Sequence, residues 1–199
     1  MKTVIHVVLF AIVACLSYFI YSSIMEPIEF NRERDARYAK GIERLKNIRT
    51  AQNAYKVEYG TYTGDFDSLI NFINTGKMRV IRMEVDDSDT NDLSKTIAKD
   101  TIFISIKDSL FKNVNIDSLR FVPYTNGTKL IEMAADMLET GSTVIIPVFE
   151  AKMNNVDLLK GLDPQLLTNF NYYREEIVGF AGLKVGSISE ANNNAGNWE

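Results

Sequence analysis

The residues that most often carry chemistry are scarce in this chain and badly placed for it. Its single His (His6) and single Cys (Cys15) both fall in the uncharged stretch Thr3 to Met25. No imidazole or thiol is left for residues 26–199, so a Ser-His-Asp triad, a Cys-His pair and a Cys/His zinc site are excluded there. His6 sits about a turn inside the start of that stretch. A proton relay is one role for such a residue, and a plain interfacial His is the ordinary one. With one Cys the chain can form no internal disulfide, and so it reads as compatible with either side of a membrane.

Other constellations are partial. No GxxxxGK[ST] or GxGxxG occurs, so no phosphate cradle is expected. Gly179, Gly182 and Gly186 match neither pattern and read as bends in a strand. The loop Asp86 to Asp92 places Asp87, Asp89 and Asn91 at the spacing of the first three ligands of an EF-hand loop. Asp92 then stands where that loop needs Gly, and Ala98 where it needs a bidentate Glu. A solvated acidic loop is the reading. Tyr55, Tyr59, Tyr62 and Phe66 suggest a stacking platform, but at helical spacing aromatics are core residues. Ser-Lys or paired-carboxylate catalysis has no local signature. No catalytic, metal or cofactor residue is assigned, and the chain is not expected to be an enzyme.

The positioning elements begin with that uncharged stretch. A run of about 20 apolar residues crosses the hydrocarbon core as a helix. Ser17, Tyr18, Tyr21, Ser22 and Ser23 gather at its C-terminal end, where Tyr suits the headgroup interface. A cleaved signal peptide has a shorter apolar region and small residues at its cleavage site. Ile24-Met25-Glu26-Pro27 offers no such site, so residues 1–25 read as an uncleaved anchor. All but Lys2 of the 22 Lys and Arg follow it, together with all 26 Asp and Glu. This mildly acidic remainder has no basic stripe for nucleic acid. Orientation has two readings. Arg32, Arg34, Arg37 and Lys40 after the span place the domain inside by the positive-inside rule. The same flank holds Glu26, Glu29, Glu33 and Asp35, and a very short tail before one span is the shape of an exported signal anchor. An inner-membrane, single-pass chain with a periplasmic domain is the expectation.

Pro27 fits the first turn of a new helix. Tyr38, Gly41, Leu45, Ile48, Gln52, Tyr55 and Tyr59 then recur at steps of three and four, making one stripe. Residues 26–60 therefore form an amphipathic stalk. Its polar start, Asn31 to Lys40, is expected to stand free, and its second half to lie on a sheet. Gly60 ends it. Asp65 caps a short helix from Phe66 to Ile73. Strands are expected at Met78–Val85, Thr101–Ile106, Leu119–Thr125, Thr128–Ala134 and Ser142–Lys152. Asn126-Gly127 is a hairpin turn, and Pro147 puts the last of these strands at an edge or a bulge. Between Lys107 and Asp117 the chain reads as irregular, with one turn at Asp108–Phe111. Asp163-Pro164 opens a further helix through Phe170, and Ile177–Ile188 is a final strand or loop pair. Residues 61–190 thus make one α+β domain with a mostly antiparallel sheet. In the polar tail, 191–199, Trp198 is either loose or an anchor.

At the helix-to-sheet junction, Arg49-Thr50-Ala51-Gln52-Asn53-Ala54-Tyr55-Lys56-Val57-Glu58-Tyr59-Gly60-Thr61-Tyr62 resembles the N-terminal part of type IV pilins and type II secretion pseudopilins. Ala54, Tyr55, Gly60 and Tyr62 occupy the positions of that family's closing pattern. The likeness covers about the first third of the chain. It implies a membrane helix that runs into a stalk and then a sheet. The span carries no Glu and no Gly-terminated basic leader precedes it, so prepilin cleavage and Glu-mediated filament packing are not implied. The expectation is a membrane-anchored structural or assembly protein with a pilin-like extracytoplasmic domain. Its partners would be the membrane and other proteins, met through the stalk or a sheet edge. The alternative is a tethered ligand-binding or sensing domain with an apolar pocket lined by Tyr172, Tyr173 and Phe180.

Overall fold

The computed structural model describes residues 2–84, 98–141 and 143–199. The acidic loop with Asp87, Asp89 and Asn91 lies outside them. The fold is α+β, built on one helix, α1 (Lys2–Tyr59), of 58 residues. At 1.5 Å per residue it is about 87 Å long. Pro27 lies inside α1 and does not begin a new helix. It removes the donor to the carbonyl four residues back and crowds that carbonyl, yet the helix continues through it. The apolar part is long and apolar enough to cross a membrane, with mean hydropathy 2.4 and none of that window buried. Ser17 there donates to the Val13 carbonyl at 2.8 Å, which satisfies its hydroxyl without water.

α2 (Phe66–Thr75) follows a tight turn. The Asp65 carboxylate caps it, accepting from the Ser68 N–H, as the sequence predicts. Leu69, Ile70, Phe72 and Ile73 are its buried face. β1 (Lys77–Glu84) and β2 (Ala98–Ser105) pair antiparallel as a two-stranded ribbon, with Lys77 opposite Ser105 and Glu84 opposite Ala98. Ser105 then caps α3 (Ile106–Leu110), so Ile106 begins a helix and does not end a strand. A 3-10 turn spans Ile116–Arg120.

The expected hairpin around Asn126-Gly127 is half right. Both residues have positive φ, 50° and 76°, and the Thr128 N–H closes the turn on the Thr125 carbonyl at 3.0 Å. The flanking strands do not form. Only one bridge, Phe121 to Leu130, joins the two arms. Pro123 has no N–H to give, and Tyr124 at φ 64° turns the backbone out of the extended region. The strand proper starts later, as β3 (Glu132–Glu139), and pairs with β4 (Ile145–Asn154). β4 also pairs with β5 (Gly182–Gly186), giving the antiparallel order β3-β4-β5. β4 is therefore central, not an edge. Pro147 is tolerated because β5 reaches only Glu150 to Asn154, which leaves Pro147 with one strand neighbour, at Met137.

α4 (Asn155–Leu158) and α5 (Pro164–Val178) connect β4 to β5. α5 runs past the expected Phe170. Gly179 ends it at φ 70°, its N–H bonded to the Glu175 carbonyl, and so caps a helix where a bend in a strand was expected. Gly182 and Gly186 do flank a strand. The core joins α1 (Leu45, Ile48, Ala51), α2, the 3-10 turn, β4 and β5, with Phe149, Ala151, Met153, Leu183 and Val185 facing the stalk.

Candidate functional site: the stalk and the domain that grips it

The stalk stripe is the domain's own core. Leu45, Ile48, Ala51 and Gln52 are fully buried. At Gly41, a Cβ would come within 2.7 Å of a Leu183 methyl, with Met153 Sδ at 3.2 Å and Leu158 at 3.3 Å. Gly there lets helix and sheet meet at van der Waals distance, and any side chain would have to displace the Leu183 methyl. Gln52 explains its own place on an apolar stripe. Its amide donates to the Thr63 carbonyl at 2.6 Å and accepts from the Thr63 N–H at 3.1 Å. It thereby pins the turn that leads from stalk to sheet, and its buried polar atoms are paired.

The junction aromatics are core, as their spacing predicts, with Tyr59 at the margin. Tyr55 and Tyr59 pack edge-on against Phe72, while Tyr59 stays 59% exposed. Phe66 is partly buried against the same core. Tyr62 packs at a tilt against Phe149, ring centres 4.9 Å apart, lies under Lys56, and accepts from the Asn194 amide at 2.8 Å.

Residues 31–40 do not stand free. Phe30 is buried and meets Phe170 edge-on at 6.4 Å. Tyr38 meets the same ring at 5.8 Å, and the Arg34 guanidinium lies 4.8 Å from its centre. Long cationic side chains bury their stems while the charge stays wet or stacked. This is how so polar a segment packs. Arg37 donates to the Lys160 carbonyl at 2.9 Å and pairs with Glu33 at 2.9 Å. Arg44 donates to the carbonyls of Ser118 and Phe121. Arg49 reaches the Asn194 carbonyl and Glu199. Arg37, Arg44 and Arg49 thus hold backbone carbonyls of the domain from the stalk, a use no motif announces.

A buried polar relay locks α5 to the stalk. The Tyr38 hydroxyl donates to the Asn155 side-chain oxygen at 2.6 Å, and the Asn155 amide donates to Asn171 at 2.8 Å. Burial pushes the Tyr38 phenol above its ordinary range, against the opposing pull of Arg174 and the Asn155 bond. Burial also lowers the Arg44 guanidinium. The tail is anchored. Gly186 and Asn197 N–H groups pair with Ala195 and Lys184 carbonyls, and Trp198 packs on the core edge over Gly196.

Two clefts open beside the stalk. One, about 450 Å³, is lined by Lys40, Arg44, Asn47, Asn113, Asn115 and Tyr124 among others. The other, about 370 Å³, lies between Glu26–Glu33 and Gly161–Asp163. Tyr172, Tyr173 and Phe180 line neither: the two tyrosines are 72% and 58% exposed on the outside of α5. The expected apolar pocket is not formed by them, because α5 turns Phe170 and not its tyrosines toward the stalk. Among the described residues no group of three or more His, Cys, Asp or Glu is placed to hold a metal ion. No family model, curated protein or solved structure matches the chain.

Proposed function

We propose that this chain is a single-span, membrane-anchored structural or assembly protein. Its pilin-like α+β domain lies outside the inner membrane, in the periplasm, and performs no catalysis. One observation carries the reading: a single unbroken helix has none of its apolar window buried, and over its last part it supplies Leu45, Ile48 and Ala51 to the core of the domain. A helix exposed on every apolar face needs lipid or partner helices around it.

Partners meet the exposed side of the stalk, at Asp35, Ala36 and Ala39, or the β3 edge at Asp136. A photo-crosslinker at Ala36, Ala39 or Asp136 is expected to give discrete protein adducts in cells. Failure to form adducts at all three would sink the assembly role. It would favour the second reading, a tethered ligand-binding domain, for which the Arg44 cleft is the supporting feature. Alkaline-carbonate extraction and intact mass test the anchor: the chain stays with the membrane and keeps its residues before position 26.

A further inference from the structure

Because α1 is continuous, the height of each stalk residue above the bilayer follows from helix rise alone. The charge-free stretch ends at Met25. Phe30 is five residues on, about 7–8 Å at 1.5 Å per residue. The headgroup layer on one side of a bilayer is itself about 5–8 Å deep. Glu26 and Glu29 are therefore inside that layer, and Phe30 is at its outer limit. Yet the domain already covers this level. Phe30 is buried against Phe170, and Gly161, Leu162 and Asp163 form one wall of the cleft whose other wall is Glu26 to Glu33. No free length of stalk separates domain from membrane.

We infer that residues 160–165, the loop before α5 and the start of its first turn, rest in the headgroup layer of the bilayer that α1 crosses, so the domain is seated on the membrane and not held away from it. The inference depends on the anchor reading above. The occupant of this surface is lipid headgroup, and its chemistry follows from charge. Around the cleft stand Glu26, Glu29, Glu33 and Asp163 with Arg32, and with Lys160 on the loop and Arg37 beside Glu33 the surface keeps a net excess of one negative charge. Glu33 is engaged with Arg37, and Glu26 accepts from Ser22 at 2.9 Å. Such a rim suits the amine of a zwitterionic headgroup and is repelled by an anionic one. The tether supplies the effective concentration, so weak contacts suffice to hold the loop in place.

The test uses the full chain in liposomes of phosphatidylethanolamine and phosphatidylcholine, with Cys15→Ser as background. An environment-sensitive dye is attached at Lys160→Cys or Gln165→Cys. Both side chains are exposed, so neither change empties the core. A third label at Ile145→Cys, exposed on the β3–β4 hairpin, is the control. Headgroup spin-labelled lipid is expected to remove most of the fluorescence at 160 and 165 and little at 145. Adding phosphatidylglycerol is expected to reduce that quenching. Inserting seven residues before Glu26 lifts the domain two turns, about 10 Å, and should abolish it. If the chain remains carbonate-resistant but 160 and 165 are quenched no more than 145, the seating is wrong and the anchor stands. If carbonate extracts the chain, the anchor reading fails and the seating with it.

Discussion

Three residues on the stalk stripe show why a polar or small side chain can be the right one in a core. Gln52 is fully buried and meets both backbone groups of Thr63. In Gln52→Leu the Thr63 N–H and carbonyl lose their partner. An unsatisfied buried group costs about 1–3 kcal/mol, so thermal unfolding should show a loss of that order. Gly41→Val places branched carbon where a single Cβ already crowds Leu183. Overpacking of this kind costs about 1–3 kcal/mol, and denaturant midpoints should fall accordingly. At Tyr38, burial raises the phenol pKa. The folded state therefore prefers the neutral phenol. Its contribution is complete below the ordinary phenol value of about 10 and is lost as pH rises through the raised one. Tyr38→Phe should be less stable at neutral pH, because Asn155 loses its donor. It should also lack the alkaline step, and melting curves across that range would show the difference.

At the scale of elements, what was legible in the sequence was the periodic part. The stripe from Tyr38 to Tyr55, the Asp65 cap, the Asp163-Pro164 helix start and the first two strands, found at Lys77–Glu84 and Ala98–Ser105, are local patterns, and they appear close to where they were read. The misreadings share a cause: a tertiary contact decided each one. Asn31 to Lys40 looked free because its burial comes from Phe170, over a hundred residues away. The segment 119–125 carries a strand's composition, yet Pro123 and the positive φ of Tyr124 confine its pairing to one bridge. Pro147 marked an edge correctly in the local sense, since β5 stops short of it, although β4 is the central strand. The stalk-gripping arginines had no motif at all. Their partners are backbone carbonyls, whose positions only the fold creates.

For the whole molecule, the consequence is one rod with a domain fastened along its second half. β4 runs from Met153 beside Gly41 to Phe149 beside Tyr62. The β3–β4 hairpin, with Met137, Val144 and Ile145 exposed, thus lies at the end far from the apolar part of α1, while residues 160–165 lie at the near end. The tail closes the β5 edge through Gly186 and Asn197, leaving β3 as the outer strand on the other side. The pilin-like architecture proposed here lives at this scale, in the order of span, stalk and sheet.

The most direct measurement is protease access to the full chain, expressed in cells, in spheroplasts and in inverted inner-membrane vesicles. Residues 61–199 should be digested in spheroplasts and shielded in inverted vesicles. Digestion in inverted vesicles with protection in spheroplasts would put the domain in the cytoplasm, and the periplasmic structural role would fall with it.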